Sequence, residues 1–513
     1  MNNTQQTDLI NGVKNRVTSE RNIKELIDYD SLFQKLHGSS NDTLTSVCSD
    51  SRRVVPGSAF FAISGSRTNG ENHVEEALER GARLIVTENK NLQVPSKVSM
   101  LHVSDSRRAM ARFTKKFYNS PDLSLSLVGV TGTNGKTTVS TLTRHLLEKP
   151  GNPVGLMGTV NYLLGDREIP SFKTTPDATD LFPMLKSMLA AGCRQAVMEV
   201  SSHGIHQSRV ADLNLEVAVF LNLTHDHLDY HGTMENYYRE KRKIFNGENG
   251  PLPKVAVING DCPYGIRLAQ ELPPQVQILT FGLGETNQFR ATHLSYDSNF
   301  TSFVLESPVG NMVVSSPMIG KYNVLNALAA FSIVHAMGGS VADSIHKLSQ
   351  FGGVSGRMQS VDRGQPFRVV VDYAHTPDAL KNALEMLQEC TQGKVRVVFG
   401  CGGDRDRGKR LEMTRIACAA ADQIWATSDN PRSESIDSIF DDMRKGVCKG
   451  AEVFFVEDRR RAIGLALESS SKDDCVLIAG KGHETFQEVQ YTAIPFDDRM
   501  VAGELLEAKM FQY

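Results

Sequence analysis

The stretch LSLSLVGVTGTNGKTTVSTLTRHLL, residues 123–147, holds residue types suited to phosphate chemistry. Its apolar start predicts a buried strand, and the apolar residues from Val139 onward recur at helical spacing. A glycine-rich loop joins the two. Glycines let backbone N–H groups approach phosphate oxygens closely, and the N-terminus of the following helix adds its dipole. The stretch therefore predicts a site for a nucleotide triphosphate.

Two side chains of this loop have defined roles in that chemistry. Lys136 supplies a cation for the β- and γ-phosphates, and the Thr137 hydroxyl can ligate Mg²⁺. The strict P-loop pattern has a glycine five residues before Gly135, where this chain has Val130. The predicted nucleotide-binding residues are Gly132, Thr133, Asn134, Gly135, Lys136, Thr137 and Thr138.

Polar side chains at two neighbouring strand ends predict metal ligands. Glu199 lies in the apolar strand 195–200, one βα unit beyond the loop, and ligands gather at the carboxyl ends of such strands. We predict that Glu199 holds Mg²⁺ with Thr137, the alternative being a solvent-facing side chain. Segment 222–232 is rich in Asp and His, and His227 is predicted as one ligand of a second Mg²⁺. Zinc is disfavoured, because no cysteine or His-Glu-x-x-His pattern accompanies these histidines.

By composition alone, two other stretches do not indicate a functional site. Lys241 lies in the helical segment MENYYREKRKIF, which predicts a solvated surface lysine. Residues 49–70, rich in Ser, Arg and Gly around one strand, are expected to form surface turns more readily than a ligand site.

Three polar loops follow strands near the C-terminus and predict one pocket. In GCGGDRDRGKR, Arg405 and backbone N–H groups can grip a carboxylate or phosphate. In DNPR, Asp429 can hold an ammonium group and Arg432 a carboxylate. In AGKGHE, Glu484 is a second anion for an ammonium group. Together these loops predict a site for a zwitterionic amino acid.

The length and composition limit the classes of protein to which the chain can belong. A chain of 513 residues is expected to form about three domains. A net charge of −3 provides no general attraction to nucleic acid or anionic membrane. The eight scattered cysteines form no Cys-x-x-Cys pair and fit a reducing cytosol. With a polar start and no long apolar run, we expect a cytoplasmic protein without membrane insertion.

Alternating strand and helix patterns predict an α/β fold of three domains. Residues 1–22 are expected to be an extension, 23–122 a small N-terminal α/β domain, and 123–355 a central P-loop ATPase-type domain with a parallel sheet. Residues 251–318 are expected to complete that domain with a smaller sheet. Residues 356–513 predict a Rossmann-like domain, without the Gly-x-Gly-x-x-Gly that NAD would require.

The motifs taken together resemble one known family, the Mur ligases. They occur in the family order from about residue 45 to 505 and touch all three predicted domains. They are GTNGKTT, TTPD, MEVSSHG, NLTHDHLDYHGTMENYYREK, GKYNVLNALAA, GRM, DYAHTPDAL, GCGGDRDRGKR, DNPR and GKGHE.

Within the family, the motifs most resemble those of the members that use meso-diaminopimelate. The resemblance implies an ATP-dependent amide ligase of peptidoglycan synthesis. Such an enzyme joins meso-diaminopimelate to the D-glutamyl γ-carboxylate of UDP-MurNAc-L-Ala-D-Glu through an acyl phosphate, and a monomer is expected. By matching positions, the N-terminal domain holds the UDP end through Ser49, Ser51, Ser66, Arg67 and Thr68. The positions that match the muramoyl-peptide site are Thr174, Thr175, Ser201, Gln207 and Arg209.

The resemblance also reassigns Lys241, which matches the family's carbamylated lysine (N6-carboxylysine), a group that helps to hold the second Mg²⁺. The positions that match the ATP site are Asn323, Asn326, Arg357 and Asp372. The positions that match the amino-acid pocket are Arg405, Asp429, Asn430, Pro431, Arg432, Gly480 and Glu484. The chain departs from the family pattern at Gln359, where Glu is usual, at His225, where Arg is common, and in its N-terminal extension.

Two alternative functions share some of these features. A folylpolyglutamate synthase-like ligase has the same loop and fold plan, but it would not need Ser51 or the DNPR loop. A nucleotide switch or scaffold would bind without catalysis. It is disfavoured because the chain lacks Asn-Lys-x-Asp and because its many polar strand ends would then be idle.

Overall fold

The structure is a computed structural model that describes residues 20–65, 68–296 and 300–510. The predicted site residues Ser66 and Arg67 lie outside the described residues. Three α/β units follow one another along the chain, each built on its own sheet. The fold class is as predicted.

The N-terminal unit has a five-stranded sheet whose three central strands are buried throughout. In spatial order its strands are Phe33–His37, Ser99–Val103, Leu84–Thr87, Ser58–Phe61 and Ser46–Cys48. Its helices are Ile23–Leu26, Val74–Glu79 and Ser106–Phe117. A short strand, Arg21–Asn22, pairs with Thr43–Leu44, so the end of the predicted extension packs on this unit.

The central unit has a single sheet of eleven strands. In spatial order they are Glu168–Pro170, Asn161–Leu163, Val154–Met157, Gln195–Glu199, Ser126–Thr131, Val217–Phe220, Val255–Asn259, Gln277–Gly282, Phe289–Tyr296, Thr301–Glu306 and Met312–Ser316. Its helices are Lys136–Leu147, Ala178–Ala190, Ser202–His206, Leu228–His231, Met234–Arg242, Pro263–Glu271, Lys321–Ala336 and Val341–Leu348.

The prediction of a separate, smaller sheet within 251–318 is wrong. Strand Gln277–Gly282 pairs in parallel with Val255–Asn259 on one side and with Phe289–Tyr296 on the other, so the later strands extend the main sheet. Strand Thr301–Glu306 then pairs antiparallel with Phe289–Tyr296 and with Met312–Ser316, which is the last strand at this edge of the sheet. Turn-rich sequence between these strands indicated a break, but the alternate side chains of Thr301–Glu306 bury one face against the same core.

The C-terminal unit has a six-stranded sheet that is parallel apart from one short edge strand. In spatial order its strands are Gln359–Ser360, Arg368–Asp372, Cys475–Ala479, Val395–Cys401, Gln423–Ser428 and Glu452–Phe455. Its helices are Pro377–Cys390, Gly408–Ala420, Ile436–Arg444, Arg459–Glu468 and Asp498–Met510. A hairpin, Phe486–Val489 with Thr492–Pro495, lies outside the sheet.

Side-chain contacts join the three units. Arg53 of the N-terminal unit forms an ion pair with Asp180 of the central unit, with Nη2 and Oδ1 2.7 Å apart. Asp378 of the C-terminal unit accepts hydrogen bonds from Asn134 Nδ2 at 2.7 Å and from Thr224 Oγ1 at 2.8 Å. These contacts place the start of helix Pro377–Cys390 beside the phosphate loop. Across the described ranges, no helix has the length and apolar character needed to cross a membrane.

Candidate active site

The phosphate loop lies between two strands whose ends carry further polar residues. Strand Ser126–Thr131 pairs in parallel with Gln195–Glu199 on one side and with Val217–Phe220 on the other. Gly135 has a φ of +88°, and a Cβ there would lie 2.6 Å from Asn326 Oδ1. The left-handed backbone therefore favours glycine, and a side chain at this position would also have to displace the Asn326 amide.

Lys136 begins the helix that follows the loop. Its Nζ donates to the carbonyl oxygens of Gly132 at 2.9 Å and Thr133 at 2.8 Å. Burial lowers the pKa of Lys136, while the Glu199 carboxylate opposes that shift. The ammonium group is thus held inside the loop, where incoming phosphates would meet it.

Glu199 is buried rather than solvent-facing, with 1% of its surface exposed. Its Oε2 accepts hydrogen bonds from Thr137 Oγ1 at 3.1 Å and Thr159 Oγ1 at 2.9 Å. Its Oε1 accepts one from the Thr159 backbone N–H at 2.8 Å. The predicted pairing of Glu199 with Thr137 is therefore present. Oxygen donors of this kind suit Mg²⁺, which keeps several waters and few protein ligands.

Lys241 contradicts the composition-based expectation of a surface lysine, because it is 1% exposed. Its Nζ donates to the Gly132 carbonyl at 2.9 Å and to Thr131 Oγ1 at 3.3 Å, and it lies 4.8 Å from the centre of the Tyr237 ring. Burial, together with the charge of Lys136, lowers its pKa well below the ordinary value. The helix periodicity could not show this, because the partners come from the phosphate loop.

His227 makes an edge contact with the Tyr237 ring, with ring centres 6.1 Å apart. Its Nε2 is 3.3 Å from Asp226 Oδ2, and burial lowers its pKa. The imidazole is therefore neutral near pH 7 and able to ligate a cation. Within the described residues no group of three or more His, Cys, Asp or Glu side chains forms a ready metal cluster.

The positions that match an ATP site gather around the loop. Asn326 Nδ2 donates to Asn323 Oδ1 at 3.1 Å, and Arg357 Nη2 donates to Thr137 Oγ1 at 3.3 Å. Asp372 accepts a hydrogen bond from the Met358 backbone at 2.7 Å, and burial raises its pKa.

These positions line a cavity of about 910 Å³ between the central and C-terminal units. The cavity wall includes the loop from Thr133 to Thr138, Glu199, His227 and the four positions that match the ATP site. Lys241 lies behind this wall rather than on it. The cavity is large enough for a nucleotide and part of a second ligand.

The positions that match the muramoyl-peptide site form one connected group. Thr175 Oγ1 donates to the Glu199 carbonyl at 3.0 Å and lies 3.0 Å from Ser201 Oγ. Arg209 donates to the Thr175 carbonyl at 2.9 Å and to Gln207 Oε1 at 2.7 Å. Of the five positions, Thr174, Thr175, Ser201 and Arg209 line the cavity.

The N-terminal positions lie apart from that cavity. Ser51 Oγ donates to Glu76 Oε2 at 2.6 Å, and Thr68 Oγ1 lies 3.1 Å from His73 Nε2. Ser49 is half-buried next to them in sequence. These hydroxyls remain at the edge of the N-terminal sheet, which suits a ligand that extends away from the phosphate loop.

The three C-terminal loops lie at the ends of three neighbouring strands, and the Gly403 N–H of the first loop donates to the Asn430 carbonyl of the second at 2.9 Å. Asn430 Nδ2 donates to Glu484 Oε2 at 3.0 Å, and Lys481 Nζ donates to Asn430 Oδ1 at 3.0 Å. Gly480 has a φ of +113°, and a Cβ there would lie 2.6 Å from Asp429 Oδ2. Pro431 is buried in the same loop.

Arg405 does not join this cluster. Its side chain is exposed, and among the residues that the structure describes its one hydrogen bond is to the Asp404 carbonyl, at 3.4 Å. The fully buried Arg459 does join it from behind, although the sequence drew no attention to it. Arg459 donates to the carbonyls of Ser428 and Ala479, the residues before Asp429 and Gly480.

Tyr373 links the two halves of the site. The Arg357 guanidinium lies 4.6 Å from the centre of its ring, and the His483 ring lies 5.0 Å from it. Tyr373, Thr159 and Asp378 were not predicted as site residues. The first follows a strand end within DYAH, and that position is the only signal that could have found it.

These features define a three-domain protein with a P-loop, a cavity lined by that loop, and a cluster of polar loops at strand ends of the C-terminal unit. Comparison with known families agrees. The Mur ligase family, catalytic domain, matches residues 43–118, the Mur ligase middle domain 130–334, and the Mur ligase, glutamate ligase domain 356–482. The chain belongs to the Mur ligase family.

Individual relatives are similar over nearly the whole chain. UDP-N-acetylmuramoyl-L-alanyl-D-glutamate–2,6-diaminopimelate ligase of Listeria monocytogenes is 42% identical over 91% of this chain and 95% of that protein. The protein of the same name from Geobacillus thermodenitrificans is 43% identical over 91% and 96%. A solved structure of a ligase of that name is 35% identical, covers 96% of this chain and 99% of its own, and superposes with a TM-score of 0.68.

Proposed function

We propose that this chain is the ATP-dependent ligase that adds meso-diaminopimelate to UDP-MurNAc-L-Ala-D-Glu in the cytoplasm, as a monomer, during peptidoglycan synthesis. The products are UDP-MurNAc-tripeptide, ADP and phosphate. The observation that carries the proposal is that one cavity has both the phosphate loop and the group around Thr175 and Arg209 in its wall. The names of the 42–43% identical relatives supply the substrates.

The first step joins the substrate carboxylate to phosphate. The D-glutamyl γ-carboxylate attacks the γ-phosphorus of ATP, the bond to the bridging oxygen breaks, and ADP leaves. Lys136 and the loop N–H groups bind the phosphates and offset the charge that develops on them. Arg209 and Ser201 orient the peptide so that its carboxylate meets the phosphate from the cavity side.

Thr137 and Glu199 would hold one Mg²⁺, and His227 with a modified Lys241 would hold a second. The fit rests on the observed proximity of Thr137 Oγ1 and Glu199 Oε2, 3.1 Å, and on a neutral His227. When bound, Mg²⁺ neutralises charge on phosphate oxygens.

The buried Lys241 is suited to carbamylation. A neutral amine adds to CO₂ and loses one proton, giving a carbamate with a negative charge. The lowered pKa of Lys241 raises the fraction of neutral amine at pH 7. We expect ¹³C-bicarbonate to give a carbamate NMR signal that is absent from Lys241→Ala. Continuous density beyond Nζ in a crystal would be the structural counterpart, and an unmodified lysine in an active, Mg²⁺-loaded crystal would contradict this role.

The second step uses the C-terminal loops. Asp429 and Glu484 bind an ammonium group of the amino acid. Arg432 binds the distal carboxylate of meso-diaminopimelate, a group that lysine lacks. The amine in its neutral form attacks the carbonyl carbon of the acyl phosphate, and the tetrahedral intermediate then loses one amine proton to solvent and expels phosphate, which leaves the amide. Closure of the C-terminal unit over the cavity would exclude water, which otherwise hydrolyses the acyl phosphate.

Phosphate release tests the proposal. We expect release only when ATP, UDP-MurNAc-L-Ala-D-Glu and meso-diaminopimelate are all present, with mass spectrometry showing the tripeptide product. Turnover with a folate and glutamate instead would favour the folylpolyglutamate-type alternative. Binding of ATP without any ligation would favour a non-catalytic nucleotide-binding protein.

A further inference from the structure

The hairpin Phe486–Val489 with Thr492–Pro495 docks on the Asp429–Arg432 loop. The Arg432 backbone N–H donates to the Glu488 carbonyl at 3.0 Å, and the Gln490 N–H donates to the Arg432 carbonyl at 2.8 Å. The Glu488 N–H donates to Asn430 Oδ1 at 2.9 Å. These bonds of the hairpin backbone hold the loop with Arg432 at a φ of +51°, a left-handed conformation that is unusual for this residue type.

The Glu488 side chain adds a separate contact. Its Oε2 lies 2.9 Å from Arg432 Nε, and Arg432 Nη1 donates to the Gly403 carbonyl at 2.8 Å. The Arg432 side chain is 18% exposed and that of Glu488 is 30% exposed. Among the described residues, Arg432 Nη2 has no acceptor within hydrogen-bond distance. Two edges of the guanidinium are thus anchored while Nη2 stays available.

We propose that Glu488 is a positioning residue that fixes the Arg432 guanidinium so that Nη2 is presented to the distal carboxylate of the amino-acid substrate. The inference deepens the proposed function and rests on it. An arginine side chain has several rotamers, and ordering one on binding opposes affinity. The ion pair orders Arg432 before the substrate arrives, so the substrate carboxylate meets a donor already in place.

The backbone bonds and the side-chain bond can be separated by mutation. In Glu488→Met the hairpin keeps all three bonds made by its backbone but loses the carboxylate. In Glu488→Gln an uncharged oxygen can still accept from Nε. Glu468→Met is the matched control, because Glu468 is an exposed acid at the end of helix Arg459–Glu468 in the same domain.

We expect Glu488→Met to raise the KM for meso-diaminopimelate by about 3- to 10-fold, the cost of ordering one long side chain. The KM for ATP and the kcat should stay within about twofold of wild type, and the inhibition constant of lysine should not change. Glu488→Gln should fall between Met and wild type, and Glu468→Met should match wild type. A merely structural role would move the KM for ATP, or kcat, as well.

A KM for meso-diaminopimelate unchanged in Glu488→Met would overturn the proposal. So would an equal rise in both KM values. Crystals of the same variant provide a readout independent of turnover, in which the Arg432 guanidinium should leave its wild-type position. If the wild type ligates some other amino acid, the proposed function fails while this displacement still decides the role of Glu488. If Glu488→Met does not fold, Glu488→Gln is measured in both ways, and wild-type values in it would overturn the proposal.

Discussion

Lys136 makes the most specific residue-scale prediction, because its ammonium group is held by two carbonyl oxygens of its own loop. The substitution Lys136→Met removes the cation but keeps an unbranched side chain about as long as the lysine's aliphatic part. We expect kcat to fall by about 100-fold or more, the size of effect found when a preorganised charge-stabilising group is lost. Steady-state phosphate release measures it. Lys472→Met, which removes an exposed lysine from the C-terminal unit, is the control. Near-wild-type turnover in Lys136→Met would contradict the phosphate role.

The residues of the site differ in how far sequence could place them. Glu199 and Thr137 were predicted to share a Mg²⁺ because Glu199 ends a strand one βα unit beyond the loop, and the two side chains lie 3.1 Å apart, although the metal itself stays a prediction. Composition wrongly predicted that Lys241 lies at the surface, because its burial depends on contact with the phosphate loop, 109 residues away in sequence. The contact between Arg432 and Glu488 was not predicted, since it requires the hairpin to fold back onto the loop.

At the scale of elements, Arg459 forms a buried ion pair with Asp498 and also donates to the carbonyls that end two strands, at Ser428 and Ala479. Both side chains are fully buried, 2.7 Å apart. Removing one partner of a buried ion pair leaves an uncompensated charge. We therefore expect Arg459→Met to lower the free energy of unfolding of the C-terminal unit by about 3–5 kcal/mol.

The adjacent Arg460 offers a matched control for that prediction. It pairs with Glu504 between the same two helices, but the side chains are 49% and 51% exposed. An exposed pair of this kind contributes about 0–1 kcal/mol, so Arg460→Met should barely change stability. Urea unfolding can be followed by the fluorescence of Trp425, the single tryptophan, which is 3% exposed in the C-terminal sheet. Equal effects of the two substitutions would contradict the account.

Sequence patterns placed most elements within a few residues. The apolar run 475–480 predicts a strand, and strand Cys475–Ala479 is observed there; Pro377, at a favoured first helical position, predicts a helix start, and helix Pro377–Cys390 begins there. The main failure was the segment 251–318, where local turn signals cannot tell a new sheet from an extension of the old one. That choice is made by pairing between strands such as Gln277–Gly282 and Phe289–Tyr296, which is a tertiary property.

At the scale of the whole molecule, Asp378 connects the C-terminal unit to the phosphate loop. It accepts hydrogen bonds from Asn134 and Thr224. Bonds to a charged acceptor contribute about 1.5–3 kcal/mol. We expect Asp378→Ala to shift the nucleotide-free protein toward a more open arrangement, seen as a larger radius of gyration in small-angle X-ray scattering. The control Asp437→Ala, in the first turn of another helix of the same unit, should leave the radius unchanged. An unchanged radius in Asp378→Ala would show that the contact does not hold the units together.

Buried histidines predict how stability depends on pH. Burial lowers the pKa of His483, and of His375, from 6.5 to about 4. Between these values the unfolded chain binds protons that the folded chain does not, so the free energy of unfolding falls as the pH drops from 6.5 to 4. The urea midpoint reported by Trp425 should decrease over this range, and the decrease should be smaller in His483→Asn. A midpoint independent of pH across this window would contradict the assignment.

The central claim is that the phosphate loop activates a carboxylate for ligation to meso-diaminopimelate. The most direct test measures tripeptide formation by the purified chain with ATP, UDP-MurNAc-L-Ala-D-Glu and either meso-diaminopimelate or lysine. The account predicts ligation of meso-diaminopimelate and little of lysine, because lysine leaves the Arg432 donor without a carboxylate. Equal turnover of the two amino acids, or none with meso-diaminopimelate, would contradict it.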